Sequence, residues 1–383
     1  MTASIPSLLN AAGTGHDTDR IAILISFSGE GGVERMILNL AEGFAARGLA
    51  VDLLAIRSDS AHLGQLPERV RPIDLGAGHT NLALRPLVRY LRTERPRALL
   101  AAKDRAIRVA AIARRLAGVE VRLTGRLGTN LSAALQGKPA LQRWLRCQPM
   151  RWIYPMVDRI VAVSEGVAED TLRITGLPRE RVTVVRNPVI TPRLMAMGQE
   201  PVDHPWFHDD GVPVILGAGR LTGQKDFATL IRAFAHVRKE RPARLVILGE
   251  GRLRPALEDL AAELGIATDV DLPGFAPNPY AYMARAAVFA LSSRWEGSPN
   301  VLTEAMVMGT PVVATDCPSG PREILQGGRY GPLVAMGDVR GLAQAILDTL
   351  AAPLDRIRLQ EAVREYNVEE SVQGYLRALG FRD

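Results

Sequence analysis

Cysteine is nearly absent. Two residues, Cys147 and Cys317, serve a chain of 383, far apart and without metal-type spacing. That excludes a disulfide scaffold and suits a reducing cytosol better than a secreted framework. The six histidines are scattered and form no ligand pattern. No run of 18 uncharged apolar residues occurs, so no simple membrane-spanning helix is expected. The first 20 residues lack a basic start followed by an apolar run. Residues 1–19 therefore read as a loose polar lead-in, and no signal peptide is expected. With 47% apolar and 23% charged residues, the composition also excludes long disorder and collagen-like repeats. What remains is a globular chain with a real core, long enough for two domains.

The net charge of +6 is unevenly spread. Residues 85–160 hold 17 Lys and Arg against four acids, a local net of +13, so the rest of the chain is acidic overall. This asymmetry points either to an anionic surface or ligand, or to a solvated arginine-rich face; composition alone does not choose.

Short apolar runs alternate with helical patterns. Ile21–Phe27 is followed by the turn Ser28-Gly-Glu-Gly-Gly32, a helix ending at Arg47-Gly48, and a second run at Ala50–Ile56. Strand, tight turn, helix, strand is the signature of a parallel sheet. The series continues with strands at 98–101, 119–123, 159–163 and 182–185 and helices at 105–116, 139–154 and 165–175. Residues 191–212 lose all periodicity and read as a linker. A second series follows, with strands at 214–218, 244–248, 270–272, 288–291 and 311–314 and helices at 225–239, 252–265, 300–308 and 338–350. The tail at 354–380 is helical and amphipathic. The fold class is α/β: two Rossmann-like, doubly wound domains, residues 20–190 and 213–365, facing each other across a cleft that is the expected ligand site.

Four segments carry chemistry. In Gly217-Ala-Gly-Arg220-Leu-Thr-Gly-Gln-Lys225-Asp226, two cations flank a glycine-containing turn between a strand and a helix. Such a pair suits a diphosphate, Arg as a planar fork and Lys as a point charge. Surface cations at a helix start are the plainer alternative, disfavoured by the helix dipole. Leu248-Gly-Glu-Gly251 only partly matches a dinucleotide fingerprint, because Arg254 stands where the third glycine belongs. Asp269-Val-Asp271 has the form of a metal-binding pair, yet alternation within a short strand explains it, and no metal is assigned. Glu296-Gly-Ser-Pro-Asn-Val-Leu-Thr-Glu304 is the most specific element. Pro299 suits a first helical turn, and the backbone N–H groups of the 298–302 segment (Ser298, Pro299, Asn300, Val301, Leu302) form an expected anion cradle. Glu296 is expected to accept hydrogen bonds from sugar hydroxyls and Glu304 from a ribose diol, or Glu304 simply complements the dipole. The fourth segment, Asp316-Cys-Pro-Ser-Gly-Pro-Arg-Glu-Ile324, is a strand-end loop whose Arg322 or Glu323 faces the cleft or serves only the turn.

Taken in order, GGVERMILNLA, VAVSEGVAED, VVRNPV, GRLTGQKDFATLIRAF, LGEG, PGFAPN, the acid-x7-acid segment and GPREIL resemble glycosyltransferase family 4, of GT-B architecture. The resemblance covers nearly the whole chain from about residue 20. It implies a nucleotide-sugar donor held mainly by the second domain, and transfer with retention and without an obligatory metal or other cofactor. By the same resemblance Arg220 and Lys225 match diphosphate ligands, Glu296 a donor-sugar contact and Glu304 a ribose contact. Gly31 and Gly32 match the glycine loop near the phosphates, Gly274 and Phe275 the stretch that meets the base. The last helix, within residues 366–383, matches one that returns to the first domain.

One departure stands out. Where many relatives place a histidine after the fourth strand, this chain reads Ala-Ala-Lys103-Asp104-Arg105. Lys103, Asp104, Arg105 and Arg126 are the expected acceptor-side residues, with surface ion pairing the alternative for each. Acceptors in the family are often lipid-linked or polysaccharide. Leu141-Gln-Arg-Trp144-Leu-Arg146 and Arg151-Trp152-Ile-Tyr154 mix basic and aromatic residues as interfacial helices do. The expectation is a cytoplasmic protein resting on the inner face of an anionic membrane. A nucleic-acid partner is not expected, because no recognised motif accompanies the basic stretch. The GPREIL loop resembles members acting on UDP-hexoses and UDP-N-acetylhexosamines in surface glycan assembly. A GDP-mannose-dependent transferase and a nucleotide-sugar epimerase are the alternatives.

Overall fold

Strands buried on both faces must be apolar throughout, and the short hydrophobic runs accordingly form the centres of two parallel sheets. The protein's computed structural model describes residues 20–27, 32–58, 66–208 and 211–381. The lead-in at 1–19 and the turn residues up to Gly31 lie outside the described residues. The first half runs β1 (Arg20–Phe27), α1 (Gly32–Ala46), β2 (Ala50–Ser58), β3 (Val70–Asp74), α2 (Leu84–Glu94), β4 (Ala98–Ala102), α3 (Asp104–Ala117), β5 (Arg122–Leu127), α4 (Leu131–Ala134), α5 (Ala140–Ile153), β6 (Arg159–Ala162), α6 (Glu165–Thr175) and β7 (Val182–Val184). The second runs α7 (Pro192–Met197), β8 (Val214–Ala218), α8 (Phe227–Glu240), β9 (Arg244–Leu248), α9 (Arg254–Glu263), β10 (Val270–Gly274), α10 (Pro279–Arg285), β11 (Val288–Leu291), α11 (Asn300–Met308), β12 (Val312–Thr315), α12 (Pro321–Ile324), β13 (Leu333–Val334), α13 (Val339–Ala351), α14 (Arg356–Ala362) and α15 (Val368–Ala378).

The strand orders are β3-β2-β1-β4-β5-β6-β7 and β10-β9-β8-β11-β12-β13. Each order reverses at one place, between β1 and β4 and between β8 and β11. Connections leave to opposite faces there and open a crevice beyond the carboxyl ends of the strands. Lys103 follows β4, the Arg220–Lys225 turn follows β8, and Glu296 lies in the loop after β11. The fold therefore delivers these residues to its two crevices.

Period-2 alternation along β1 assigns its side chains to two apolar layers. Ala22 and Leu24 join the layer under α2, α3 and α6, while Ile21, Ile23 and Ile25 join α1 and α15. Val372 and Tyr375 of the last helix and Leu379 just after it are buried in that second layer, so α15 packs on the first sheet although α14 packs on the second. Each apolar side chain so buried contributes about 1.5–3 kcal/mol.

Several elements differ from expectation. Residues 191–212 carry α7, capped by Thr191 whose Oγ1 accepts from the Leu194 N–H at 3.0 Å, and Leu194 is buried in the second domain's core. Prolines at 192 and 205 interrupt the apolar rhythm while starting helical turns. The strand expected at 119–123 lies at Arg122–Leu127. The tail is two helices separated by a single 3-10 turn at Arg364–Tyr366. Pro299 is the N-cap of α11 (φ −72°, ψ 97°) and not its first helical residue.

Candidate active site

The turn after β8 is stitched to the loop after β11. Ser292 Oγ donates to the Lys225 carbonyl at 2.8 Å, Gln224 Nε2 to the Trp295 carbonyl at 3.0 Å, and the Arg294 N–H to the Gln224 carbonyl at 2.8 Å. Lys225 lies before α8 in this turn, and its Nζ donates to Glu296 Oε1 at 2.6 Å. Ser293 Oγ donates to the same oxygen at 2.7 Å. Lys225 and Glu296 are thus brought together. Arg220 is exposed on the same turn, with no side-chain partner among the described residues. The two cations share a loop, but only Lys225 is drawn inward.

The Leu248-Gly-Glu-Gly251 glycines serve this turn. A Cβ on Gly249 would lie 2.1 Å from the Gly219 carbonyl oxygen, and one on Gly251 2.4 Å from that of Leu221. Side chains there would push the turn out of place. Asp269 pairs with Arg238 and Asp271 with His204, and among the described residues no group of three or more His, Cys, Asp or Glu gathers.

Glu304 sits one turn into α11, 1% exposed, and neither carboxylate oxygen has a hydrogen-bond partner among the described residues. The nearest cation is Arg35 of α1, whose Nη2 lies 3.9 Å away while another nitrogen donates to the Tyr280 hydroxyl. Burial pushes the Glu304 carboxyl above the usual range. Such a group is costly unless something donates to it.

The expected cradle is narrower than the sequence suggests. Pro299 has no N–H, and the Leu302 N–H donates to the Pro299 carbonyl at 3.0 Å. Leu302 is buried in the core and Val301 packs against it, so only the backbone of this stretch is available. The N–H groups of Ser298, Asn300 and Val301 remain as candidates. Asn300 Nδ2 reaches the Gly32 carbonyl at 3.4 Å, which brings the start of α1 against α11. Gly31 lies outside the described residues. Gly274 and the exposed Phe275 line a cavity of about 240 Å³ together with Asn278 and Tyr282, and the Gly249 N–H donates to the Gly274 carbonyl at 2.7 Å. The base stretch and the cation turn are therefore tied together. A cavity of about 580 Å³ lies apart, along β7 and α15, and holds none of these groups.

On the opposite lobe the four acceptor-side candidates divide. Lys103 Nζ donates to Glu34 Oε1 at 2.8 Å and to the Ser26 carbonyl at 3.2 Å, with its own backbone at φ 76°. A non-glycine residue held there costs of order 1–3 kcal/mol. Arg105 is exposed. Asp104 is buried and accepts from Arg108, Arg146 and Tyr154. It is an internal anchor and does not line the cleft. Arg126 is 2% exposed, and its Nη2 donates to Asn187 Oδ1 at 2.7 Å. Asn187 Nδ2 in turn donates to Asn300 Oδ1 at 2.7 Å. Arg126 therefore supports α11 from behind and does not form an acceptor surface. Glu34, Arg35 and Asn187 were missed as site residues. Glu34 and Arg35 lie in GGVERM, where Glu34 reads as an ordinary first-turn acid complementing the dipole and only its burial separates it.

The Glycosyltransferase Family 4 model matches residues 30–193, and the Glycosyl transferases group 1 model matches 212–352. The chain belongs to glycosyltransferase family 4. This family 4 chain is 35% identical over 194 residues to a Campylobacter jejuni protein, N-acetylgalactosamine-N,N'-diacetylbacillosaminyl-diphospho-undecaprenol 4-alpha-N-acetylgalactosaminyltransferase, with 51% of each chain covered. It is 33% identical over 228 residues to the Rhizobium meliloti lipopolysaccharide core biosynthesis glycosyltransferase LpsE, covering 58% of this chain and 64% of that one. The chain spans about half the length of the curated relatives it matches. Its fold is the GT-B type. Anabaena HepE, solved with UDP and glucose, superposes with a TM-score of 0.75 at 19% identity, covering 94% of this chain and 99% of that one.

Proposed function

We propose that the protein is a glycosyltransferase of cell-envelope or lipopolysaccharide glycan assembly. It moves a hexose or N-acetylhexosamine from a UDP-linked donor to a lipid-linked or polysaccharide acceptor, with retention. The observation that carries this reading is Glu304, a buried carboxylate with no donor among the described residues, one turn from a helix N-terminus and beside a cation turn. A ribose diol supplies two hydroxyl donors to such a group, while the diphosphate one turn earlier meets the N–H groups of α11, Lys225 and Arg220. The flat, exposed Phe275 offers a face to the base. HepE, which shares the fold and was solved in complex with UDP, supports the choice of nucleotide, and the relative named for a diphospho-undecaprenol substrate supports a lipid-linked acceptor.

In the proposed step the bond between sugar C1 and the diphosphate oxygen breaks, its electron pair staying on that oxygen. The acceptor hydroxyl oxygen bonds to C1 on the same face and passes its proton to the departing diphosphate. Charge grows on the leaving group, so the cation turn and helix N–H groups are the useful catalysts, with no metal required. Product analysis by NMR after incubation with UDP-sugars and a lipid-diphosphate acceptor tests this. The expected product keeps the donor's anomeric configuration; inversion would contradict the mechanism.

The reading includes a resting place on an anionic membrane. On α5, Leu141, Trp144, Leu145 and Trp152 are exposed, Trp152 by 78%, and their spacing puts them on one helical face. Arg151 is exposed at the edge of that face, Arg143 is exposed on the far side of the helix, and Arg146 turns inward to Asp104. No described helix is long and apolar enough to cross a membrane. In flotation with anionic vesicles the protein is expected to rise with the lipid. Arg151 should contribute about 1 kcal/mol, so Arg151→Gln should lower partitioning roughly fivefold. No flotation of the unaltered chain would sink this part of the reading.

A further inference from the structure

The loop after β12 touches both lobes. Each Glu323 carboxylate oxygen accepts one backbone N–H at the start of α6, from Glu165 and from Gly166, both at 2.9 Å. Arg186 Nη1 donates to the same carboxylate at 2.7 Å. Asn130 Nδ2 of the first lobe donates to Ser319 Oγ at 2.9 Å. A Cβ on Gly166 would lie 2.4 Å from that Oγ, so the contact requires glycine. From its other side the loop meets the catalytic segment. The Pro318 carbonyl accepts from the Glu296 N–H at 3.4 Å, and a Cβ on Gly320 would lie 2.4 Å from Pro299 Cδ.

An acid capping a helix N-terminus with two N–H bonds makes strong, charge-assisted contacts. Here acid and helix belong to different domains, so the cap exists only while the lobes are together. We propose that Glu323 is an interdomain latch: by capping α6 it holds the cleft closed and, through Pro318 and Gly320, positions Glu296 and the first turn of α11. Glu323 touches no reacting atom in this arrangement; it is a positioning residue. The closure does not depend on the proposed chemistry, whereas its kinetic consequence rests on that reading.

Two variants test the latch from opposite sides. Glu323→Gln replaces one acceptor oxygen by a donor and breaks the paired cap. Gly166→Ala leaves Glu323 untouched and favours helix, since alanine is the better helix former, but wedges against Ser319. Small-angle X-ray scattering of the unliganded proteins should show a larger radius of gyration for both variants, with thermal unfolding checking that each remains folded. Hydrogen exchange at Glu165 and Gly166 should accelerate in Glu323→Gln. With donor present, KM for the nucleotide sugar should rise about tenfold, within the range of coupling between sites. Faster exchange with unchanged scattering in both variants would make the cap merely local and overturn the proposal. So would an unaltered chain whose scattering already fits separated lobes. The scattering result stands even if no transfer activity is found, so failure of the latch and failure of the proposed function are distinguishable.

Discussion

Exchanging Arg220 for methionine should lower kcat by about 10²–10³, the usual effect of removing a group that meets charge developing on a leaving oxygen. Stability should barely change, because Arg220 is exposed and unpartnered among the described residues. Lys225→Met should lower kcat as much, but with a different signature. Its ammonium is bonded to Glu296, and both side chains are nearly buried. Removing one member of such a pair strands the other, at a cost of about 3 kcal/mol, the low end of the range for buried pairs. Steady-state kinetics and thermal unfolding on the two variants check this together. Near-normal turnover in both would remove the cation turn from the mechanism.

Glu304→Gln is expected to move stability and donor affinity in opposite directions. The carboxylate is buried, with both oxygens lacking a hydrogen bond among the described residues and Arg35 no nearer than 3.9 Å, and an amide in its place relieves part of the cost of burying a charge, about 1–3 kcal/mol. Donor affinity should fall about 10- to 100-fold, as charged acceptors hold hydroxyls more strongly than neutral ones. The raised carboxyl fixes the pH dependence. The folded chain holds this proton more tightly than the unfolded chain, so unliganded stability falls as pH rises from the ordinary carboxylate range through the raised value. Donor binding needs the ionised form and weakens as pH falls through that same value. Thermal unfolding of both proteins across pH should show the difference between them growing with pH. A constant difference would mean that Glu304 does not titrate in this way.

How legible these features were in the sequence depended on whether the signal was local. Runs such as RIAILISF and VILGA sit at sheet centres, where burial on both faces demands apolar residues without alternation. β3 escaped notice because VRPID is a largely exposed edge strand carrying a proline. α2 escaped because LRPLVRYLRTE buries only Leu87, Tyr90 and Leu91. The shift of β5 has a similar cause: Arg126 reads as a surface residue, yet Asn187 meets it inside the protein. At the candidate site, Lys225 and Glu296 meet because their loops follow β8 and β11 at a place the topology singles out. Asp104 and Arg126 were misassigned because a charge in sequence carries no record of its burial. The Glu323 contact with α6 joins residues more than 150 positions apart, and only the assembled lobes reveal it.

In the proposed function, the crevice beside β8 and β11 holds a nucleoside diphosphate by its ribose and its phosphates. Calorimetric titration of UDP into the unaltered chain and into Glu304→Gln measures this directly. We expect one site per chain, binding by UDP far stronger than by uridine, and a weakened site in the variant. Equal affinity in the two proteins, or no response to UDP, GDP or ADP, would contradict it.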